Sequence, residues 1–108
     1  MSWIVGFFAN NRKDKPVEDF IYSLDDVTLT KVTRLIDLLK MYGPRLSRPY
    51  AKRINSHIYE LRTSGKNPIR ILYGVNNSRF VLLHAFKKKT NKLPNKDLKL
   101  AENRLDKL

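Results

Sequence analysis

Apolar and polar positions in the first half of the chain predict one strand followed by two helices. Trp3 to Ala9 is an apolar run of strand length, and a polar turn then leads to Pro16, a residue favoured in the first turn of a helix. Apolar residues from Val17 to Leu24 recur at helical spacing. Thr28 is predicted to cap a second, longer helix that ends at Gly43-Pro44. Its apolar stripe consists of Leu29, Val32, Leu35, Ile36, Leu39 and Tyr42.

Three further strands are predicted after a basic connection that runs from Arg45 to Ile54. The first extends from His57 to Arg62, and its alternation puts Ile58, Glu60 and Arg62 on one face. The other two, Ile69 to Val75 and a strand that begins at Arg79, flank the turn-forming residues Asn76-Asn77-Ser78. These two strands therefore predict a hairpin.

A final helix is predicted to start at Pro94 and Asn95, with Leu98, Ala101 and Leu105 on its apolar side. The resulting order is one strand, two helices, three antiparallel strands and one helix. Such an order predicts an α+β fold in which helices pack on one face of a small antiparallel sheet and leave the other face free. With 108 residues, of which 42% are hydrophobic, residues 1–108 are expected to form one domain with a real core.

The register of the hairpin decides which charged side chains share a face. If a three-residue loop pairs Val75 with Arg79, Arg70 lies opposite His84. A two-residue loop would move one strand to the other face and separate Arg70 from His84. We predict the three-residue loop. The same face would then also carry Leu72, Leu82, Phe86 and Lys88.

The charge of the chain narrows the class of partner. Twenty-two Lys and Arg against ten Asp and Glu give a formal charge of +12 and a pI near 10.2, which favours a polyanion or an acidic protein as the partner. Between Lys40 and Lys89 the sequence has twelve basic residues and a single acid, Glu60. The middle of the chain is therefore the region expected to face phosphate.

Other function classes are excluded or made improbable by composition. The chain has no cysteine, so it can form neither a disulfide nor a thiolate metal site, and its two histidines lack a clustered carboxylate. The apolar start is too short to span a bilayer and lacks the features of a secretory signal. We expect no metal, no small-molecule cofactor, no membrane association and a cytoplasmic location.

The sequence RFVLLHAFKKKT, from Arg79 to Thr90, places a histidine, an aromatic residue and three lysines at the end of a strand. Fixed cations suit catalysis at a phosphodiester, where negative charge grows on the phosphate oxygens, and RNA supplies its own nucleophile in the 2′-hydroxyl. Two arginines would clamp phosphate, His84 or a lysine would move protons, and Phe86 would stack on a base. The candidate catalytic residues are Arg62, Arg70, His84, Lys87, Lys88 and Lys89, and the candidate RNA-binding residues are Phe86, Lys52 and Arg53.

Each candidate also has a structural alternative. A lysine run can simply protect a sheet edge, and Arg70 can pair with Glu60, the nearest acid in sequence. His84 can be a hydrogen-bonded structural histidine, and Phe86 can belong to the core.

Six segments, in this order, resemble the HigB-like, phage-protein-like branch of the RelE/ParE toxin superfamily. They are PVEDFIYSL at Pro16–Leu24, LIDLLKMYGPRL at Leu35–Leu46, YELR at Tyr59–Arg62, RILY at Arg70–Tyr73, LLHAFKKKTNKLP at Leu82–Pro94 and LAENRL at Leu100–Leu105. The resemblance implies a RelE-like fold, cleavage of messenger RNA in the ribosomal A site, and neutralisation by a cognate antitoxin, commonly a small HigA-like helix-turn-helix protein.

The family's functional positions map onto residues already selected by chemistry. Its strand arginine falls on Arg70, the arginine of the preceding strand on Arg62, and its basic cluster on Lys87 to Lys89. Two lysines of the better-known RelE proteins correspond here to Ile58 and Glu60, and the C-terminal catalytic tyrosine has no equivalent. The resemblance therefore leaves the general acid and base unassigned.

Three functions remain open at this point. The leading one is a ribosome-dependent, metal-independent endoribonuclease that acts as the toxin of a type II toxin-antitoxin module. The second is a ParE-like toxin of the same fold that inhibits DNA gyrase. The third is a basic nucleic-acid-binding module without catalysis, whose affinity would depend on charge alone.

Overall fold

A computed structural model describes residues 2–108 and contains a five-stranded sheet with three helices. The elements in chain order are β1 (Val5–Phe7), α1 (Pro16–Tyr22), α2 (Asp26–Tyr42), a 3-10 turn (Gly43–Arg45), β2 (Ala51–Arg53), β3 (Tyr59–Arg62), β4 (Ile69–Asn76), β5 (Arg79–Lys87) and α3 (Asn95–Asp106). The strands are arranged in the order β1-β5-β4-β3-β2. This architecture confirms the predicted α+β class and its two N-terminal helices and C-terminal helix.

Two features of the sheet differ from the prediction. Strand β1 pairs in parallel with β5, with Val5 opposite Phe80, so the sheet is mixed, whereas the strand pairs from β2 to β5 are antiparallel. The segment predicted as a basic connection contains strand β2, in which Ala51 lies opposite Leu61. Three residues with one apolar side chain give no alternation to detect, so the pattern of the sequence did not indicate this strand.

The predicted three-residue hairpin loop is wrong. Asn77 and Ser78 form a two-residue turn, and their φ angles of 52° and 62° belong to the turns that match the twist of an antiparallel pair. A β-bulge at Leu72/Tyr73 then shifts the pairing again, so that Phe86 lies opposite Arg70. His84 therefore lies opposite Leu72 instead of Arg70. Because the bulge compensates for the shorter loop, Arg70 and His84 still share one face.

Helices cover both faces of the sheet. On one face, α1 and α2 pack against apolar residues of the strands, and this core includes Val17, Ile21, Val32, Leu35, Leu39, Leu61, Ile71, Tyr73 and Leu82. On the other face, Ala101 of α3 packs with Ile58, Leu72, Val81 and Leu83, and Phe8 joins this second cluster. The expectation that this face is free is therefore wrong for most of its area. The apolar residues of α3 cover this face as far as Phe86, and beyond it Glu60, Arg62 and Arg70 border a cavity.

The beginning of α2 also differs from the prediction. Asp25, not Thr28, caps the helix: its Oδ2 accepts the backbone N–H of Thr28 at 3.1 Å, and its Oδ1 accepts the Thr28 hydroxyl at 2.6 Å. The helix ends at Gly43 as predicted, because the φ of +53° at this residue is not helical. The position also requires glycine, since a Cβ there would meet the Trp3 indole at about 2.5 Å. Within residues 2–108, the helices are too short or too polar to cross a membrane.

Candidate functional site

A cavity of about 510 Å³ opens at the polar end of the sheet, where β3 and β5 finish and β4 begins. Strand alternation brings Glu60, Arg62, Arg70 and Phe86 to it, and the segment between β5 and α3 closes its other side. The basic residues that line it are Lys52, Arg62, Arg70, Lys87, Lys88, Lys89, Lys92 and Lys96, and the acidic ones are Glu60 and Asp97. The cavity is therefore strongly cationic and suited to an anionic group.

Arg70 is the most constrained cation of this cavity. Its side chain is only 8% exposed, and its Nη1 donates to the backbone carbonyls of Thr63 at 2.9 Å and Ile69 at 3.1 Å. Burial lowers the pKa of Arg70 below its ordinary value, the charge of Arg62 lowers it further, and Glu60 opposes both effects. An arginine stays charged despite such a shift. The guanidinium is therefore a permanent positive charge held in one orientation.

Glu60 lies between the two arginines. Its Oε1 is 3.4 Å from Nε of Arg62 and 3.7 Å from Nε of Arg70, and its side chain is 5% exposed. The ion pair that the sequence offered as a structural alternative is therefore present, and Glu60 forms it with Arg62 and Arg70 together. It does not remove them from the site, because Arg62 and Arg70 both line the cavity. Glu60 therefore orients both guanidinium groups. Its single negative charge offsets only one of their two positive charges.

His84 lies just behind the cavity. Its Nε2 is 2.6 Å from Oδ1 of Asp97 in the first turn of α3, and its ring stacks on Phe86 with centroids 5.4 Å apart. Phe86 and Asp97 line the cavity, whereas His84 does not. His84 is therefore a hydrogen-bonded histidine that supports two cavity residues.

The predicted lysines surround the opening, but Arg53 lies elsewhere. Lys87 and Lys89 are exposed, and Lys88 is half-buried where its backbone N–H donates to the Pro68 carbonyl at 2.8 Å. Lys52 lies opposite Glu60 and shares its face, so it reaches the cavity. Arg53, one residue further, belongs to the opposite face and does not line the candidate cavity. It lines another cavity beside Tyr59, which Lys52 also borders.

Three cavity residues, Lys92, Lys96 and Asp97, were missed by the sequence analysis. They lie after the hairpin and in the first turn of α3, and they reach the site only because α3 folds back over the sheet. In the sequence, only the positive charges of Lys92 and Lys96 beside the predicted helix start indicated that this segment could join a cationic site. In the described part of the chain, no group of three or more His, Cys, Asp or Glu is placed to hold a metal ion.

Comparison with known proteins gives two matches. The family described as Phage derived protein Gp49-like (DUF891) matches residues 19–106. A curated relative from Mycobacterium tuberculosis, named "Putative toxin HigB3", is 37% identical over 71 residues, which span 62% of this chain and 61% of the relative. Together they confirm the resemblance to the HigB-like, phage-protein-like branch. The family match covers most of the chain, and the chain therefore belongs to the phage-derived Gp49-like family.

Proposed function

We propose that this chain is the toxin of a type II toxin-antitoxin module and that it acts as a ribosome-dependent endoribonuclease on translated messenger RNA. The observation that carries the proposal is the pair of arginines held by Glu60 inside a cavity lined with lysines. The similarity to a protein named as a toxin supports the first half of the proposal.

In the proposed reaction, the 2′-hydroxyl of RNA attacks the adjacent phosphate and the 5′ oxygen of the next nucleotide leaves. Arg70 and Arg62 bind the nonbridging oxygens, on which negative charge grows in the transition state. Because hydrogen bonds to backbone carbonyls hold Arg70 before substrate arrives, little reorganisation is needed during the reaction. The proposed reaction uses neither a metal nor an organic cofactor.

Proton transfer in this scheme falls to groups that line the cavity. In this proposal Asp97 accepts the proton of the attacking 2′-hydroxyl, and a lysine of the run from Lys87 to Lys89 donates a proton to the leaving 5′ oxygen. All four residues line the cavity. His84 acts through its 2.6 Å contact with Asp97 and is a positioning residue in this account. Phe86 presents a ring on which an unpaired base can stack.

The ribosome and an antitoxin are the proposed partners. The ribosomal A site would present the messenger RNA in a fixed geometry, which lowers the entropic cost of reaching the reactive conformation. An antitoxin of the HigA-like helix-turn-helix type would neutralise the toxin. Acidic side chains inserted into the cationic cavity are the complementary means of doing so.

The proposal is tested by primer-extension mapping of messenger RNA after brief induction in bacteria. The wild type should cut inside translated frames, whereas a variant with Lys87, Lys88 and Lys89 all changed to Gln should lose most cuts. A matched variant with Lys40, Lys99 and Lys107 changed to Gln carries the same net charge but alters residues outside the cavity.

The result distinguishes the three functions. Normal cutting by the matched variant and loss of most cuts by the cavity variant, at equal levels of folded protein, is the expected outcome. Growth arrest with intact messages and a DNA-damage response would instead support a gyrase inhibitor. Intact messages in the wild type, with growth inhibition that weakens to the same degree in the two lysine variants, would support passive binding of nucleic acid by charge.

A further inference from the structure

A second cavity, of about 570 Å³, adjoins the candidate site on the α2 side of the sheet. Arg62 and Arg70 line both cavities. The remaining residues around the second cavity are Lys31, Arg34, Leu35 and Leu38 of α2, Pro49 and Tyr50 before β2, and Thr63 and Ser64 after β3. The two arginines therefore lie in the middle of one longer groove that passes around the end of the sheet.

Two hydrogen bonds at the end of the sheet connect the segments that surround the second cavity. The backbone N–H of Arg62 donates to the Tyr50 carbonyl at 2.8 Å, which ties Tyr50 to the strand that carries the arginine. Lys31 Nζ donates to the Ser64 carbonyl at 3.3 Å and so connects α2 to the loop after β3. Tyr50 itself is 47% exposed.

The lining of the second cavity combines positive charge with apolar surface. Lys31 and Arg34 are exposed and lie three residues apart on α2, so they are neighbours on one side of the helix. The ion pairs found within residues 2–108 involve neither of them, and no Asp or Glu from that range lines the cavity. Leu35 and Leu38 form the apolar wall.

This combination fits a nucleotide, which joins an anionic phosphate to a flat ring with apolar faces. Aromatic side chains beside a cationic groove are the usual means of binding single-stranded nucleic acid. An acidic peptide could contact the same positive charges. However, Arg62 and Arg70 line both cavities, so the RNA strand whose phosphate they bind in the proposed reaction is favoured as the ligand of the second cavity.

We infer that the second cavity binds the nucleotide next to the scissile phosphate on single-stranded RNA. Lys31 and Arg34 contact its phosphate backbone, and Tyr50 stacks on its base. This inference rests on the proposed function, because it takes the phosphate at Arg62 and Arg70 as the point from which the strand continues.

The test uses a fluorescent, single-stranded RNA with 2′-O-methyl groups throughout, which cannot undergo attack by its own 2′-hydroxyl. Its affinity is measured by fluorescence anisotropy over a series of sodium chloride concentrations. The Lys31→Ala, Arg34→Ala double variant is compared with wild type and with a matched Arg12→Ala, Lys107→Ala variant. The matched residues line a separate cavity that shares no residue with the groove.

Loss of phosphate contacts has a specific signature in this assay. The slope of log affinity against log salt is negative, and its magnitude should decrease by about 0.7 for each phosphate contact that a single strand loses. The groove variant should therefore have a slope whose magnitude is smaller by about 0.7 to 1.4. The matched variant should keep the wild-type slope. Tyr50→Ala should weaken binding about 5- to 150-fold by loss of one stacked base. Tyr50→Phe, which keeps the ring, should bind like wild type.

Either equal slopes in the two double variants or an unchanged affinity for Tyr50→Ala would overturn the inference, as would no RNA binding by the wild type. The assay reads binding and not cleavage, so it separates the two proposals. A protein that binds RNA through this cavity but never cuts messages would refute the proposed cleavage and leave the cavity as an RNA-binding site.

Discussion

Arg70 and Glu60 should show strong energetic coupling, and this coupling gives a way to remove Arg70 without unfolding the protein. Arg70→Met keeps much of the side-chain volume but deletes the guanidinium, leaving a 5%-exposed carboxylate with Arg62 as its remaining ion-pair partner among the described residues. It also removes the donor for the carbonyls of Thr63 and Ile69. The single change should therefore be costly.

The magnitude follows from the burial of the pair. Removing one partner of a buried ion pair costs about 3 to 5 kcal/mol, and because Arg62 still lies 3.4 Å from Glu60 we expect about 3 kcal/mol. For a chain of this size that free energy lowers the melting temperature by about 12 °C or more. Glu60→Gln leaves two adjacent guanidinium groups without an acid. A hydrogen bond to a charged group contributes about 1.5 to 3 kcal/mol, so this change should cost about 2 kcal/mol.

Urea unfolding of the wild type, both single variants and the double variant measures the coupling directly. Removing both charges leaves no unpaired buried carboxylate, so the double variant should lose at least about 1.5 kcal/mol less than the sum of the single losses, within the range for contacting residues. Losses that add to within about 0.5 kcal/mol would instead mean that Glu60 and Arg70 do not interact appreciably.

Two further predictions concern α2 and the core. Asp25→Ala removes the side-chain acceptor for the Thr28 N–H and hydroxyl and should lower the free energy of unfolding, whereas Asp25→Asn, which keeps a capping oxygen, should lower it less. Equal losses in urea unfolding would contradict the cap. Burial raises the pKa of Tyr73 from 10.0 to about 12, so the unfolded chain loses this proton first and stability should fall by about 2 kcal/mol as the pH rises from 10 to 12. Tyr73→Phe should show a smaller fall over that pH range, and an identical fall would contradict the assignment.

Strand alternation was sufficient to predict much of the candidate site. It placed Glu60 and Arg62 on one face, and the polar end of the hairpin indicated Arg70 and the lysine run. The predicted opposition of Arg70 and His84 was wrong, because a two-residue turn and a bulge together reset the register. A bulge depends on packing along the whole hairpin, so local pattern does not reveal it.

Local sequence patterns did not predict contacts between segments that are distant in the chain. The pairing of His84 with Asp97 requires α3 to fold back over the sheet, and the expectation of a free face excluded that contact. The second cavity likewise brings Lys31 and Tyr50 to the two arginines from separate elements. Lys31 and Tyr50 each look like ordinary exposed surface residues when considered alone.

The role of Arg70 in cleavage is measured as the rate at which messenger RNA is cut in a reconstituted translation system. The comparison is between wild type, Glu60→Gln and the Glu60→Gln, Arg70→Met double variant at equal concentrations of folded protein. Loss of a donor that stabilises transition-state charge typically slows a reaction about 10²- to 10³-fold, so the double variant should fall by that factor relative to Glu60→Gln, and wild type should cut only when ribosomes are present. Cleavage by the double variant at the rate of Glu60→Gln would contradict the account.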